Sequence, residues 1–319
     1  MAVALALSER SRGRTAPNPN VGCVIVREGR VVGRGWTQPG GRPHAEAMAL
    51  AEAQEKSRGA TCYVTLEPCA HASPRGPACA DLLVAAGVAR VVIALRDPDP
   101  RTDGRGAERL RAAGVKVVEA VAEPQARAAM AGFLTRRAKG RPFVTLKLAT
   151  SLDSCIATAS GESRWITGAE ARAHAHLERS RHEAILVGGG TFDADALKLE
   201  VRLPGVEARS PRRILLSTRA SRLRARDGGW EAIGAPADIA DLEGVDHLLV
   251  EGGAQTAAAF VREGLVDRLL LYRAPILIGV GKPGLGDIGL ADLAAAHGRW
   301  RPQDVRQLGS DRLEVYAGV

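Results

Sequence analysis

A chain of 319 residues exceeds what a single core ordinarily serves, so two domains are expected. Its 45% hydrophobic and 25% charged residues are those of a globular protein, and aromatics at 3% leave Ala, Val, Leu and Ile to build the cores. No apolar run approaches the ~18 residues of a membrane-spanning helix, and the formal charge of +8 comes without the Lys/Arg clusters and interleaved aromatics of a polynucleotide surface. The charge by itself does not separate nucleic acid from small phosphorylated substrates, but the missing clusters weigh against a polynucleotide, so no nucleic acid and no membrane are expected as partners.

The apolar start, residues 1–7, lacks a basic flank and runs into Ser8-Glu9-Arg10, so it reads as a first helix, not a signal peptide, and a cytoplasmic location is expected. Residues 21–26 and 30–33 read as a hairpin turning through Glu28-Gly29. Helix formers fill 44–56, a buried strand follows at 60–66, and 79–86 is helical with Gly87 as its C-cap. A strand at 89–95, a helix at 108–113 closed by Gly114 and a strand at 115–121 complete a layered α/β pattern. A charged helical stretch from 123 ends in Lys139-Gly140-Arg141-Pro142, placing the junction between domains 1–141 and 142–319. Beyond it come strands at 143–149, 183–187, 213–216 and 247–250, helices at 167–181 and 254–263, and a long strand at 268–278. Residues 220–244 read only as loop and helix.

Five cysteines scattered along the chain argue against a disulfide framework and for reduced thiols. Cys23, Cys62 and Cys155 lie in apolar runs and read as core. Cys69 and Cys79 differ, because they join His44-Ala45-Glu46 and Glu67-Pro68-Cys69 in the His-x-Glu … Pro-Cys … Cys signature of zinc deaminases. Three ligands, His44, Cys69 and Cys79, leave a tetrahedral zinc one open position, and zinc there acidifies water. Glu46 is placed to shuttle the proton. A closed structural zinc would need a fourth ligand, for which His71 is the candidate. The spacing is Cys-x9-Cys where the general signature has Cys-x2-Cys, so the loop 70–78 is expected to read the substrate.

In the second half the strongest signal is Leu248-Leu249-Val250-Glu251-Gly252-Gly253-Ala254-Gln255-Thr256, a strand entering a helix through two glycines. Such a turn lets an anion approach the backbone and the helix N-terminus. Val187-Gly188-Gly189-Gly190-Thr191 is a second glycine turn after a strand. Neither is Gly-x-Gly-x-x-Gly, so a standard Rossmann fold is not supported, and each could be a tight turn only.

Taken together, the segments 17–26, 44–46, 64–71, 97–100, 104–106, 147–153 and 274–279 resemble the bifunctional deaminase/reductase family of riboflavin biosynthesis, in tandem order over nearly the whole chain. The resemblance implies an α/β protein with an N-terminal cytidine-deaminase-like three-layer domain and a C-terminal dihydrofolate-reductase-like domain. It implies hydrolytic deamination of 2,5-diamino-6-ribosylamino-4(3H)-pyrimidinone 5′-phosphate with zinc, then NADPH-dependent reduction of the ribosyl group to ribityl. Asn18, His71, Arg75 and the Asp99 region match deaminase substrate positions. Ala149, Trp165, Thr191, Asp195, Gly253, Ala254, Gln255 and Thr256 match NADPH positions. Ser163, Arg179, Leu199, Arg202 and Glu251 match reductase substrate positions, with Arg179 and Arg202 expected to clamp a phosphate. A homo-oligomer is expected. Two departures touch the reductase half: the family's Ser-Leu-Asp-Gly is Ser151-Leu152-Asp153-Ser154, and its Asp-Asp-Pro is Asp195-Ala196-Leu197.

Two other readings stand beside this one. The second domain could bind or oligomerise without hydride transfer, as the departures suggest. Alternatively, the basic chain could edit tRNA bases, which leaves the second half unexplained.

Overall fold

The computed structural model describes residues 1–73, 75–195, 198–217 and 228–319. The chain forms two compact units, Met1–Gly140 and Arg141–Val319.

The first unit is built on a five-stranded sheet of order β2-β1-β3-β4-β5. Its strands are β1 (Gly22–Arg27), β2 (Arg30–Trp36), β3 (Thr61–Val64), β4 (Arg90–Ile93) and β5 (Lys116–Val118). The β1–β2 hairpin turns as expected through Glu28 and Gly29, both left-handed at φ 51° and 74°. β3 runs antiparallel to β1 and parallel to β4, and β5 continues in parallel. Helices α1 (Ala2–Ser8), α2 (Ala45–Ala53), α3 (Cys79–Ala85), α4 (Arg105–Ala112), α5 (Glu123–Ala129) and α6 (Ala131–Lys139) complete the unit. Small residues set the layers. A Cβ on Gly22 would lie 1.9 Å from the Ala4 carbonyl, and one on Gly35, on the opposite face, 2.0 Å from that of Ala45. Helices α1 and α2 therefore press against opposite faces of one hairpin, which makes three layers. The core between them is aliphatic, with Ile25, Val64, Leu66, Leu83, Val91, Ile93 and Leu110 all buried. Cys23 and Cys62 belong to this core.

The second unit carries an eight-stranded sheet of order β10-β9-β8-β11-β6-β12-β15-β14. Strands β6 (Phe143–Thr150), β8 (Ala184–Gly188), β9 (Arg212–Leu216), β10 (Glu231–Ile233), β11 (His247–Val250) and β12 (Arg268–Arg273) run in parallel. β14 (Trp300–Leu308) and β15 (Asp311–Gly318) close one edge in antiparallel pairing. A two-stranded ribbon pairs β7 (Cys155–Thr158) with β13 (Gly281–Pro283). Every residue of β8 and β11 is buried, as central strands covered on both faces require. Helices α7 (Ala169–Arg179), α8 (Gly189–Asp195) and α9 (Ala254–Arg262) flank the sheet. The long strand expected at 268–278 is cut short at Arg273. Pro275 has no N–H to give a ladder, and the N–H groups of Ile278 and Gly279 bond the Asp153 carboxylate instead. The β14–β15 hairpin, the β7–β13 ribbon and β10, which falls in the stretch read as loop and helix, were not foreseen. No described helix is long and apolar enough to cross a membrane.

Candidate active sites

In the first unit the segments leaving β3 and β4 converge with the loops entering β1 and leaving β2. His44 is the N-cap of α2, Cys69 follows β3, and Cys79 opens α3. His44 Nδ1 lies 3.3 Å from Cys79 Sγ and 3.7 Å from Cys69 Sγ. Bonds of ~2.3 Å to sulfur and ~2.0 Å to nitrogen in a tetrahedron space such atoms about 3.6 Å apart, so the triad fits zinc. Among the described residues it is the one group of His, Cys, Asp or Glu with three ligand atoms within 4.8 Å of one another. His71 is outside it, its Nδ1 3.4 Å from Thr102 Oγ1, and so supplies no fourth ligand.

The Cys79 backbone N–H donates to Cys69 Sγ at 3.2 Å. A hydrogen bond with Cys79 and another with His44 draw the Cys69 thiol down to about 4 despite burial, while contact with Cys69 and burial push Cys79 up. Glu46, 3% exposed, sits in the first turn of α2 beside the triad. Burial pushes its carboxyl up, His44 opposes and Cys69 adds, leaving it at about 7.

A cavity of about 300 Å³ opens here, lined by Asn18, Glu46, His71, Arg75 and Asp99 as expected, and also by Arg42, Asp97, Arg101 and Arg137. Asn18 Nδ2 donates to the Gly41 carbonyl at 2.7 Å, and Arg75 Nη1 to that of Gly40 at 3.1 Å. Arg101 grips Asp99 through two nitrogens, at 3.0 and 2.6 Å, and Arg137 adds a third contact at 2.8 Å. Hydrogen bonding to Arg101 above all holds Asp99 well below the usual carboxylate range, whereas burial pushes Asp97 up to about 6. Arg42, Arg101 and Arg137 were missed by sequence reasoning. Arg101 has a local signal, two residues beyond Asp99. Arg137 has none, because its partner lies 38 residues away.

In the second unit a cavity of about 530 Å³ gathers Ala149, Ser163, Trp165, Arg179, Thr191, Leu199, Arg202, Glu251 and Gly253. Six basic side chains (Lys147, Arg164, Arg172, Arg179, Lys198, Arg202) face two acidic ones (Glu200, Glu251), a balance suited to a phosphorylated cofactor and substrate. Gly253 caps α9 with no side-chain cap bond, and a Cβ there would meet only Thr191 Oγ1, at 3.6 Å. The Gly252-Gly253 turn thus leaves room for a ligand to approach the backbone, and the site fits NADPH.

Three of the expected NADPH positions, Ala254, Gln255 and Thr256, do not line this cavity. Thr256 is buried against β8, where a Cβ on Gly188 would lie 2.0 Å from its Oγ1. The Asp195 side chain, with Ala196 and Leu197, lies outside the described residues. Arg179 differs from its expected role as a free clamp. Its Nε and Nη2 donate to Glu251 at 2.7 and 2.8 Å, and Lys147 stands 3.6 Å from the same carboxylate. Burial would push Glu251 up, but Arg179 and Lys147 prevail and draw it to about 2. Arg202 keeps an exposed side chain on the cavity wall, so of the two arginines it is the one free of this pairing.

Comparison with known proteins gives the same two halves. The cytidine and deoxycytidylate deaminase zinc-binding region matches residues 1–95, and the RibD C-terminal domain matches 142–230 and 237–313. The riboflavin biosynthesis proteins RibD of Aquifex aeolicus and Escherichia coli are 38% and 39% identical, each across 98% of this chain and 95% and 96% of their own. The chain belongs to the RibD family. Among solved structures, Acinetobacter baumannii RibD is 35% identical with a TM-score of 0.88, covering 100% of this chain and 97% of that one. A Thermotoga maritima structure described as a diaminohydroxyphosphoribosylaminopyrimidine deaminase/5-amino-6-(5-phosphoribosylamino)uracil reductase is 32% identical, with the same TM-score and coverage. Family membership makes this chain a bifunctional deaminase and reductase of riboflavin biosynthesis, with a cytidine-deaminase domain followed by a dihydrofolate-reductase-like one. That assignment displaces both the non-reducing second domain and the tRNA editor.

Proposed function

We propose that residues 1–141 deaminate 2,5-diamino-6-ribosylamino-4(3H)-pyrimidinone 5′-phosphate and that residues 142–319 reduce the ribosyl chain of the product with NADPH. The observation that carries the first half is the His44, Cys69 and Cys79 triad with buried Glu46 beside it at a cavity lined by arginines. His44, Cys69 and Cys79 would hold zinc, which when bound supplies a Lewis acid that makes water reactive at neutral pH. Glu46 takes a proton from the attacking water and hands it to the departing amine at the 2-position, and its burial keeps it near neutrality for both tasks. Asn18 and His71 orient the ring, and Arg75 meets the phosphate at the cavity mouth.

In the second unit Ala149, Trp165, Thr191 and Gly253 take the cofactor. Ser163, Leu199, Arg202 and Glu251 take the open-chain sugar phosphate, with Arg202 the leading phosphate contact. The exposed apolar side chains of Leu277, Val280 and Leu293 support assembly as a homo-oligomer, and five unpaired cysteines suit a reducing cytoplasm. The test is ammonia release from the diaminopyrimidine phosphate by purified protein, followed by NADPH oxidation in the same vessel. Ammonia release without NADPH consumption would remove the second half of the proposal.

A further inference from the structure

The deaminase cavity has a wall with no regular structure of its own, the loop 97–104 between β4 and α4. It brings Asp97, Asp99 and Arg101 to the cavity. One side chain holds both of its ends. Glu67, 3% exposed, accepts the backbone N–H of Asp97 at 3.3 Å and of Gly104 at 2.9 Å on Oε2, and that of Ala107 at 3.0 Å on Oε1. The last of these is a free N–H in the first turn of α4, where a carboxylate is favoured by the helix dipole. Helix and zinc segment are also in direct contact, since a Cβ on Gly106 would lie 2.0 Å from the Pro68 carbonyl. From inside the loop, Thr102 reaches back to the same segment, its Oγ1 accepting the Ala70 N–H at 3.5 Å and lying 3.4 Å from His71 Nδ1.

We infer that Glu67 is a positioning residue of the deaminase, whose carboxylate ties the substrate-facing loop 97–104 to the segment carrying the zinc ligand Cys69. Glu67 lines the cavity, but its oxygens are held by these three backbone N–H groups and it is not one of the zinc triad. Its effect falls on where Asp97, Asp99, Arg101 and His71 meet the substrate, and so on substrate affinity more than on the chemical step. The inference rests on the proposed deaminase activity.

Glu67→Gln in the full chain tests it. An amide of the same size has one acceptor oxygen for three N–H donors held on two oxygens, so at least one bond is lost. KM for the diaminopyrimidine phosphate should rise at least ~10-fold, the effect of losing a hydrogen bond to a charged group. At the same time kcat should stay within about 3-fold, since no transition-state contact is removed. Zinc content and NADPH-dependent reduction should match the wild type. Thr102→Val, which removes only the contact with Ala70 and His71, should raise KM less and leave kcat alone, and it decides the matter if Glu67→Gln is insoluble. An unchanged KM in Glu67→Gln, a loss of rate that tracks loss of zinc, or, where only Thr102→Val is soluble, an unchanged KM in that variant would overturn the inference. A wild-type protein that releases no ammonia would instead overturn the deaminase proposal itself.

Discussion

Glu251→Gln is the substitution whose effect can be worked most fully from the structure. The Glu251 side chain is 9% exposed, with Arg179 in a two-point grip and Lys147 beside it. A carboxyl whose pKa falls from 4.5 to about 2 on folding contributes about 3 kcal/mol near neutrality. Removing one partner of a buried pair independently costs about 3–5 kcal/mol, because the other charge is left without compensation. The second unit of Glu251→Gln should therefore be less stable by about 3 kcal/mol at pH 7. Since the folded pKa is depressed, this contribution is whole above 4.5 and is lost as the pH falls toward about 2. The variant should lack that part of the acid loss. Urea titration followed by tryptophan fluorescence suits the measurement, because Trp165, Trp230 and Trp300 lie in the second unit and only Trp36 in the first. The variant also frees the Arg179 fork, so inorganic phosphate should stabilise it more than it does the wild type. A loss below about 1 kcal/mol, the scale of an exposed pair, or an unchanged acid profile would refute the reasoning.

Glu46→Gln should keep zinc and fold while ammonia release falls at least ~10²-fold, with reduction of supplied deaminated compound intact; metal analysis alongside both assays checks this. Gly253→Val should raise the NADPH requirement without unfolding the chain, because the protein leaves room at that Cβ, with the nearest atom 3.6 Å away. Arg202→Ala should raise the substrate requirement of the reductase, and neither of these two variants should slow ammonia release. Ser154→Gly should stabilise the second unit by roughly 1 kcal/mol in thermal unfolding, since Ser154 holds a left-handed φ of 64°.

The zinc triad and Glu46 were legible because ligand chemistry fixes both residue type and local order. His44 and Glu46 lie on one helix start, and Cys69 and Cys79 end a strand and begin a helix. The parallel strands of the second unit other than β10 were legible as apolar runs, with His247–Val250 read to the residue. Pairings across long separations left no such mark. Arg179 read as a clamp, because nothing local shows that Glu251, 72 residues on, would take its fork. Glu67 was visible only as part of a motif, since its partners are backbone N–H groups 30 to 40 residues away. The β14–β15 hairpin escaped because β14 is mostly exposed, with runs of three exposed residues between half-buried ones, among them Pro302 and three charged side chains. Such an edge strand gives little hydrophobic period to read.

The most direct test of the two-activity account is to strip the metal with a chelator and follow both reactions in one preparation. Ammonia release from the diaminopyrimidine phosphate should stop and return with added zinc, while NADPH oxidation with the deaminated ribosyl compound continues throughout. Ammonia release that persists without metal, or a failure to oxidise either NADPH or NADH with that compound, would contradict it.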